Sequence, residues 1–351
     1  MQSFRSRSET PREVVMSKSE QNAPTAEQRI RELAAELRMH RQHPCLLFVS
    51  ASIQGRDVLT VRTAIEEERG PHLDLIVASP GGDIGAAYLV ARELRRRFAS
   101  LTVFVPFQAK SAATLLCLAG DELVLGSLGE LGPLDQQVDE KQKADGPLNT
   151  SRLLPFKALQ QLQHGAKELY EEVVGRVSEK SGMRLFEACS KAAELTQGLY
   201  GPLFGQLDPA HLAESARGLE IGVEYGERVL RRYRPALWAE QGPKLLTRLV
   251  HDYPTHGFAI DQEEADELGI PTRIPDAQEA VLLDQLALAL IEYGTSSDLI
   301  TLVGRPAAAI AAAQQVLDHI PDRQQPAATP RVRRSREKGA ATRRTHDKAA
   351  A

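Results

Sequence analysis

Residues 73–136 constrain the fold of this chain most, because short apolar runs alternate there with helical patterns. Leu73–Ser79 is an apolar run that stops at a Pro-Gly-Gly turn, as expected of a buried strand that enters a tight turn. Asp83 can cap a helix over Ile84–Phe98, in which the apolar residues fall on one face. This stretch therefore predicts a strand–turn–helix unit.

The same pattern repeats directly afterwards. A second apolar run, Leu101–Phe107, leads to a serine flanked by small residues and to an apolar helix that extends through Leu118. A third strand is predicted over Glu122–Leu125. Buried strands that alternate with helices predict an α/β fold with a parallel sheet.

Two features of this stretch can carry chemistry. Gly81 and Gly82 place two backbone N–H groups at the start of a helix, where they can donate to a developing oxyanion. On spacing alone, a loop that only needs glycine is the simpler explanation of the pair. Ser111 can cap the helix that follows it, or it can act as a nucleophile at the start of that helix. Taken separately, these residues leave both interpretations open.

The combination of these features resembles a known family. The order SPGG, helix, strand and small-residue-flanked serine resembles the Clp-protease/crotonase superfamily of serine peptidases. The segments KSAAT, AGDE and ELGPLD, which begin at residues 110, 119 and 130, narrow the resemblance to the serine dehydrogenase proteinase family. That family is related to the signal peptide peptidase and Clp proteolytic subunit families. The resemblance is strong over residues 46–136, weaker over 137–275 and absent from both ends.

The resemblance implies a fold, an activity and partners. The fold would be a Clp-protease/crotonase-like spiral of β-β-α units with an appended helical region. Ser111 would attack the peptide carbonyl, and the N–H groups of Gly81, Gly82 and Ala112 would form the oxyanion hole. The resemblance also implies a peptide or protein substrate, a homo-oligomer, and a separate ATPase or adaptor as a possible partner. It implies no cofactor.

The general base remains open between several residues. The Clp proteolytic subunit uses a histidine, whereas this chain has Asp135 at the corresponding separation from Ser111 and no histidine between His72 and His164. Asp135 can act as a base only if burial raises its pKa, and it can otherwise cap a turn or form a salt bridge.

Lysine is an alternative base, as in the Ser–Lys dyads of signal peptide peptidase relatives. Lys110 is adjacent to Ser111, but neighbouring side chains on an extended segment point apart. Lys157 is flanked by apolar residues on the following helix, where desolvation can lower its pKa. His256 lies in a C-terminal segment that can fold back to the core, although a histidine at a strand start is more often structural.

The chain is expected to divide into four segments. Gly218 and Gly222 are predicted to break the helical pattern into separate helices over Pro209–Gly218 and Val223–Tyr233. The segments are a disordered N-terminus (1–26), a peptidase core with a helical arm at about 137–250 (27–275), C-terminal helices (276–320) and a basic disordered tail (321–351).

Charge and cysteine content exclude further classes of protein. The net charge of −4 is uneven, because residues 322–351 carry nine Lys/Arg and three Asp/Glu, which leaves −10 on the rest of the chain. An acidic body with a basic arm does not look like a dedicated nucleic-acid-binding domain. Three widely spaced cysteines form no disulfide framework. No signal peptide and no transmembrane run are apparent, so a cytoplasmic protein is expected.

The predicted activity is that of a serine endopeptidase, ATP-independent by itself, that forms an acyl-enzyme on Ser111. The alternative is a catalytically inactive Clp/crotonase-like oligomeric scaffold or adaptor, favoured by the missing Clp-type histidine. A crotonase that handles acyl-CoA would use the same turn without needing Ser111. A dinucleotide fingerprint would require glycine in place of Pro80, and no His, Cys and carboxylate cluster has metal-site spacing, so neither cofactor nor metal is predicted.

Overall fold

The computed structural model describes residues 24–134, 137–139, 149–151, 153–294 and 298–304. Its strands are β1 (Cys45–Val49), β2 (His72–Ala78), β3 (Ser100–Val105), β4 (Gln108–Ala109), β5 (Glu122–Leu125), β6 (Glu130–Leu131), β7 (Gln137–Asp139), β8 (Asn149–Ser151) and β9 (Leu299–Leu302). Its helices are α1 (Ala26–Arg41), α2 (Gly55–Ala64), α3 (Ile84–Arg97), α4 (Ala112–Leu118), α5 (Leu153–Ser181), α6 (Leu185–Phe204), α7 (Pro209–Tyr233), α8 (Pro235–Thr247), α9 (Gln262–Glu267) and α10 (Ala277–Tyr293), with a π-helical turn at Arg248–Asp252.

A five-stranded sheet in the order β5-β3-β2-β1-β9 forms the centre of the fold. Strands β1, β2, β3 and β5 are parallel, which confirms the predicted α/β fold. Helices α2, α3, α4 and α7 contribute to the core on one face, and α1 and α10 contribute on the other. Because both faces are covered, consecutive strand residues are buried, which explains the unbroken apolar runs of the sequence.

The antiparallel edge strand β9 was not predicted. It pairs with β1, and Leu46 lies opposite Leu302. The expectation for residues 276–320 included only helices, and a strand of four residues is too short for periodicity to identify. Helix α10 confirms part of that expectation, whereas residues 305–320 lie outside the described residues, as does the tail.

Helix α7 corrects a second expectation. It runs without interruption from Pro209 to Tyr233, so the predicted break at Gly218 and Gly222 is wrong. A Cβ atom on Gly222 would lie 3.2 Å from the carbonyl oxygen of Leu134. Gly222 therefore permits close packing of α7 against the core, and neither glycine ends the helix.

A buried ion pair ties α10 to the end of the sheet. The Arg273 guanidinium donates to both carboxylate oxygens of Glu279, at 2.6 and 2.9 Å, and to Glu122 at 2.9 Å. The side chain of Glu279 is fully buried. Burial alone would raise the pKa of Glu279, but the hydrogen bonds from Arg273 outweigh it and hold that pKa below its ordinary value.

Replacing Glu279 by glutamine is expected to destabilise the protein by about 3 kcal/mol at neutral pH. The change removes the buried negative charge that offsets the positive charge of the Arg273 guanidinium. A carboxyl whose folded-state pKa is depressed contributes stability above its unfolded pKa and loses it as the pH falls. The difference between the native chain and Glu279→Gln should therefore shrink below about pH 4. Urea unfolding at pH 7 and at pH 3.5 measures the free energy of unfolding of the native chain and of Glu279→Gln. If the two proteins differ by the same amount at both pH values, the ionised Glu279 carboxylate is not the source of the stability.

Candidate active site

Ser111 lies between β4 and α4 in a backbone conformation that serine rarely adopts. Its φ is 52° and its ψ is −118°. These are the angles of the first central residue of a type II′ turn, a position that favours glycine. The N–H of Ala113 donates to the carbonyl of Lys110 at 2.9 Å and closes the turn. Such a conformation costs about 1–3 kcal/mol and persists only where the surrounding structure enforces it.

The side chain of Ser111 does not cap the helix. Ser111 occupies the N-cap position of α4, but its side chain makes no capping hydrogen bond. The capping interpretation is therefore wrong for the hydroxyl group, although the position itself is as expected. Ser111 is 7% exposed, so its hydroxyl lies in a largely closed environment.

The glycine turn after β2 packs directly against Ser111. Gly81 has a φ of 116°, and a Cβ atom on it would lie 2.9 Å from both the Lys110 carbonyl oxygen and the Ser111 Cβ. Only glycine allows the backbone to approach the serine so closely. The glycine turn and Ser111, which the sequence singled out as the two chemical features of this stretch, are therefore in contact.

Gly82 is held against the loop after β1. Its φ is 142°, and a Cβ atom on it would lie 2.4 Å from the backbone nitrogen of Ile53. The N–H of Ile53 donates to the Gly81 carbonyl, and the N–H of Asp83 donates to the Ile53 carbonyl, each at 2.8 Å. Two hydrogen bonds to Ile53 therefore fix the orientation of the turn.

The backbone N–H groups of the three predicted oxyanion residues differ in their partners. The N–H of Gly81 donates to the hydroxyl oxygen of Ser79 at 3.1 Å. Among the described residues, the N–H of Gly82 has no acceptor. Ala112 is the first residue of α4, so its N–H is one of the four that lack an acceptor within the helix. The N–H of Gly81 is thus already bound, and the Ala112 nitrogen lies beside the glycine turn, since a Cβ atom on Gly81 would be 3.3 Å from it.

Lys110 is buried, and its ammonium group binds three acceptors. It contacts a Glu130 carboxylate oxygen at 2.8 Å and the carbonyl oxygens of Leu131 and Phe258 at 3.1 Å each. An ammonium has three N–H donors, so this set occupies all of them. Lys110 joins the serine turn to β6 and to a segment 148 residues further along the chain.

Lys157 on α5 is half-buried and holds the same C-terminal segment. Its ammonium donates to the carbonyl oxygens of Tyr253, at 2.7 Å, and of Pro254, at 3.1 Å. It also lines a cavity of about 610 Å³ between α5 and α7, together with Glu220 and His251. Lys157 is therefore a polar anchor at the edge of this cavity.

Of the two remaining candidates for the general base, the structure describes His256 and does not describe Asp135. His256 is half-buried and lies in the turn before Phe258, whose carbonyl binds Lys110. The N–H and carbonyl of Ile260 pair with Leu131, so the predicted return of this segment to the core is observed. Asp135 lies outside the described residues, directly after Leu134.

Sequence reasoning gave no role to three polar residues of this region. The Ser79 hydroxyl accepts a hydrogen bond from the Gly81 N–H, and the Glu130 carboxylate binds Lys110. The hydroxyl of Thr114, on α4, accepts a hydrogen bond from the N–H of Gly132, which follows β6. Each stands in a segment that carried the family resemblance. A hydroxyl or carboxylate within a run of small and apolar residues was the signal that could have identified them.

Two further findings concern the described part of the chain. Among those residues, no group of three or more His, Cys, Asp or Glu side chains is placed to hold a metal ion. None of the helices described combines the length and apolar character needed to cross a membrane.

Comparison with known proteins finds matches to the segment that holds this site. The chain is 30% identical over 109 residues to the uncharacterized protein MJ0137 of Methanocaldococcus jannaschii, covering 29% of this chain and 37% of the relative. It is 35% identical over 68 residues to the uncharacterized protein MJ1495 of the same organism, covering 19% of this chain and 23% of that relative. The matches thus span well under half the length of either relative. The family resemblance is confirmed for the segment that holds the glycine turn and Ser111, because residues 43–147 match the family of ClpP-like SDH-type serine proteinases.

Proposed function

We propose that the protein is a serine endopeptidase in which Ser111 forms an acyl-enzyme. The observation that carries this proposal is the strained backbone of Ser111, which packs against Gly81 at the start of α4. Strained backbone of this kind is concentrated at functional sites, because it costs stability that a serine with a purely structural role would not require. The family match over residues 43–147 supports the same reaction class.

The reaction follows from the groups at the site. The Ser111 oxygen attacks the peptide carbonyl carbon, and a base takes the hydroxyl proton. The carbonyl oxygen then carries a negative charge, which the N–H groups of Gly82 and Ala112 stabilise. The base returns its proton to the leaving amine, and a water molecule hydrolyses the acyl-enzyme by the reverse sequence. The N–H of Gly81 is bound to Ser79, so it is not assigned to the oxyanion. Gly81 instead contributes its lack of a side chain, which lets the turn approach Ser111.

The base is proposed to come from Asp135 or His256 in preference to the two lysines. A general base must have a free lone pair, whereas Lys110 has three acceptors around its ammonium and Lys157 has two. Lys110 and Lys157 instead hold the segment that carries His256. Replacing Asp135, His256, Lys157 and Lys110 one at a time identifies the base, since only its loss should remove the pH dependence of acylation.

The short strands support the finer description of the fold as a spiral of β-β-α units. Strand β3 is followed by β4 and α4, and β2 is followed by a bridge at Ser79 and then by α3. Strands β4 and β6 pair with each other outside the central sheet. In both cases the long strand is followed by a short extended segment before the chain enters a helix.

Covalent labelling by a fluorophosphonate tests the proposed function. The native chain is expected to be labelled on Ser111, and Ser111→Ala is expected to show no labelling, because the probe reacts only with an activated serine. Ser190→Ala serves as a control for serine content, since Ser190 is exposed on α6 and should not be the labelled residue. Absence of labelling in folded native protein, with its assembly intact, would favour the inactive scaffold.

Self-association is proposed to involve helix α6. Ala188 and Ala192 are its buried residues, while on the same face Leu195 is 45% exposed and Leu199 is 55% exposed. A helix with so much exposed apolar surface is a candidate for contact with another chain. Leu199→Glu is expected to lower the assembly mass measured by analytical ultracentrifugation. Gln197→Glu adds the same charge on the helix face opposite Ala188 and should leave the mass unchanged; equal behaviour of the two variants would rule out this surface.

A further inference from the structure

Thr114 lies one helical turn after Ser111, and its side chain is fully buried. Its hydroxyl oxygen is 2.7 Å from the Ala109 carbonyl oxygen and 2.8 Å from the Gly132 carbonyl oxygen. It also accepts the N–H of Gly132 at 3.1 Å. A hydroxyl has one proton, so the two carbonyl oxygens share it in a bifurcated hydrogen bond, and the Gly132 N–H uses one of the two lone pairs.

The hydrogen bond to Ala109 spans the strained turn. The turn consists of Lys110 to Ala113, and Ala109 and Thr114 are the residues on its two sides. A bond from the Thr114 hydroxyl to the Ala109 carbonyl therefore joins the two ends and limits how far the turn can open. Strained backbone persists only where its surroundings over-determine it, and this bond is one such constraint.

The bonds to Gly132 attach the same turn to the next part of the sheet. A Cβ atom on Gly132 would lie 2.5 Å from Cδ of Lys110, so the Gly132 backbone packs against the residue that precedes Ser111. Because Thr114 binds both the N–H and the carbonyl of Gly132, the loop after β6 cannot move without disturbing the turn. Thr114 thus links α4, β4 and this loop.

We propose that Thr114 is a positioning residue that holds Ser111 in its strained, reactive conformation. The catalytic consequence rests on the proposed peptidase function, whereas the conformational consequence does not. Loss of the hydroxyl allows the turn to relax and moves the Ser111 oxygen away from the Gly82 and Ala112 N–H groups. Small displacements of this kind lower the rate of the chemical step more than they weaken substrate binding.

The catalytic test compares Thr114→Val, which has nearly the same shape but no hydroxyl, with Thr114→Ser, which retains the hydroxyl. Thr114→Val is expected to lower the fluorophosphonate labelling rate of folded protein about 10- to 100-fold, a loss comparable to a misplacement of about 1 Å. For a peptide substrate, kcat should fall while KM changes little. Thr114→Ser should restore the labelling rate to near the native value. A native labelling rate in folded Thr114→Val would overturn the proposal.

A second measurement needs no activity and separates this proposal from the peptidase function. Ser111→Gly is expected to raise the denaturation midpoint of the native chain, because glycine removes the strain. In the Thr114→Val background the turn has already relaxed, so the same change should raise the midpoint much less. An equal rise in both backgrounds would show that Thr114 does not hold the strain, whether or not the native protein is labelled.

If Thr114→Val does not fold, Thr114→Ala takes its place in both experiments. Alanine also lacks the hydroxyl, and it leaves space in which a water molecule can bind the Gly132 backbone. The two expected results are unchanged: a slower labelling rate than Thr114→Ser, and a smaller effect of Ser111→Gly. The opposite result in either experiment contradicts the positioning role.

Discussion

Ser111→Gly is expected to abolish fluorophosphonate labelling and peptide hydrolysis while leaving the protein more stable than Ser111→Ala. Both variants lack the nucleophile, and loss of the nucleophile in a serine peptidase costs on the order of 10⁶ in kcat. They differ in the backbone, because Ser111 has a φ of 52° that glycine adopts without strain. Release of about 1–3 kcal/mol of strain exceeds the chain-entropy cost of glycine.

The stability difference is measured by urea unfolding of the two inactive variants, with the native chain as reference. Ser111→Gly should be about 1 kcal/mol more stable than Ser111→Ala once the entropy cost is included. The comparison is internally matched, because neither variant retains the hydroxyl. If Ser111→Ala is the more stable variant, the turn stores no strain and the main observation behind the proposed function is lost.

Gly82→Ala is expected to cause the largest loss of stability among single substitutions in the glycine turn. Its φ of 142° is unfavourable for alanine, which costs about 1–3 kcal/mol. The new Cβ would also lie 2.4 Å from the nitrogen and 2.5 Å from the oxygen of Ile53, and relieving that overlap costs about a further 1–3 kcal/mol. Movement of the turn should displace the Gly82 N–H, so the labelling rate should fall as well.

Two other glycines separate the causes of this effect. Gly70 has a φ of 143° with no atom within 4 Å of its Cβ position, so Gly70→Ala measures the backbone cost alone. Gly55 also has an open Cβ position, and its φ lies outside the left-handed region, so Gly55→Ala should cause no loss. Urea unfolding of the three variants gives the order Gly82→Ala, Gly70→Ala, Gly55→Ala from the largest loss to the smallest. Equal losses at Gly82 and Gly70 would show that Ile53 does not restrict the turn.

The sequence alone determined the parallel sheet, the glycine turn and the position of the candidate nucleophile. The run Leu75–Ala78 is apolar throughout because both faces of β2 are covered, and this property is local enough to be read from neighbouring residues. The cap at Asp83 and the helix after it follow from equally local chemistry, and the structure confirms them.

Only the tertiary structure decided what these residues can do. Whether Gly81 or Gly82 has an unpaired N–H depends on the side chain of Ser79, and the three partners of Lys110 include a carbonyl 148 residues away. The continuity of α7 and the existence of β9 depend on packing against distant residues, to which local propensity is a weak guide. The glycine-like backbone of Ser111 is imposed by its surroundings and is opposed by its own preference, so no local pattern could reveal it.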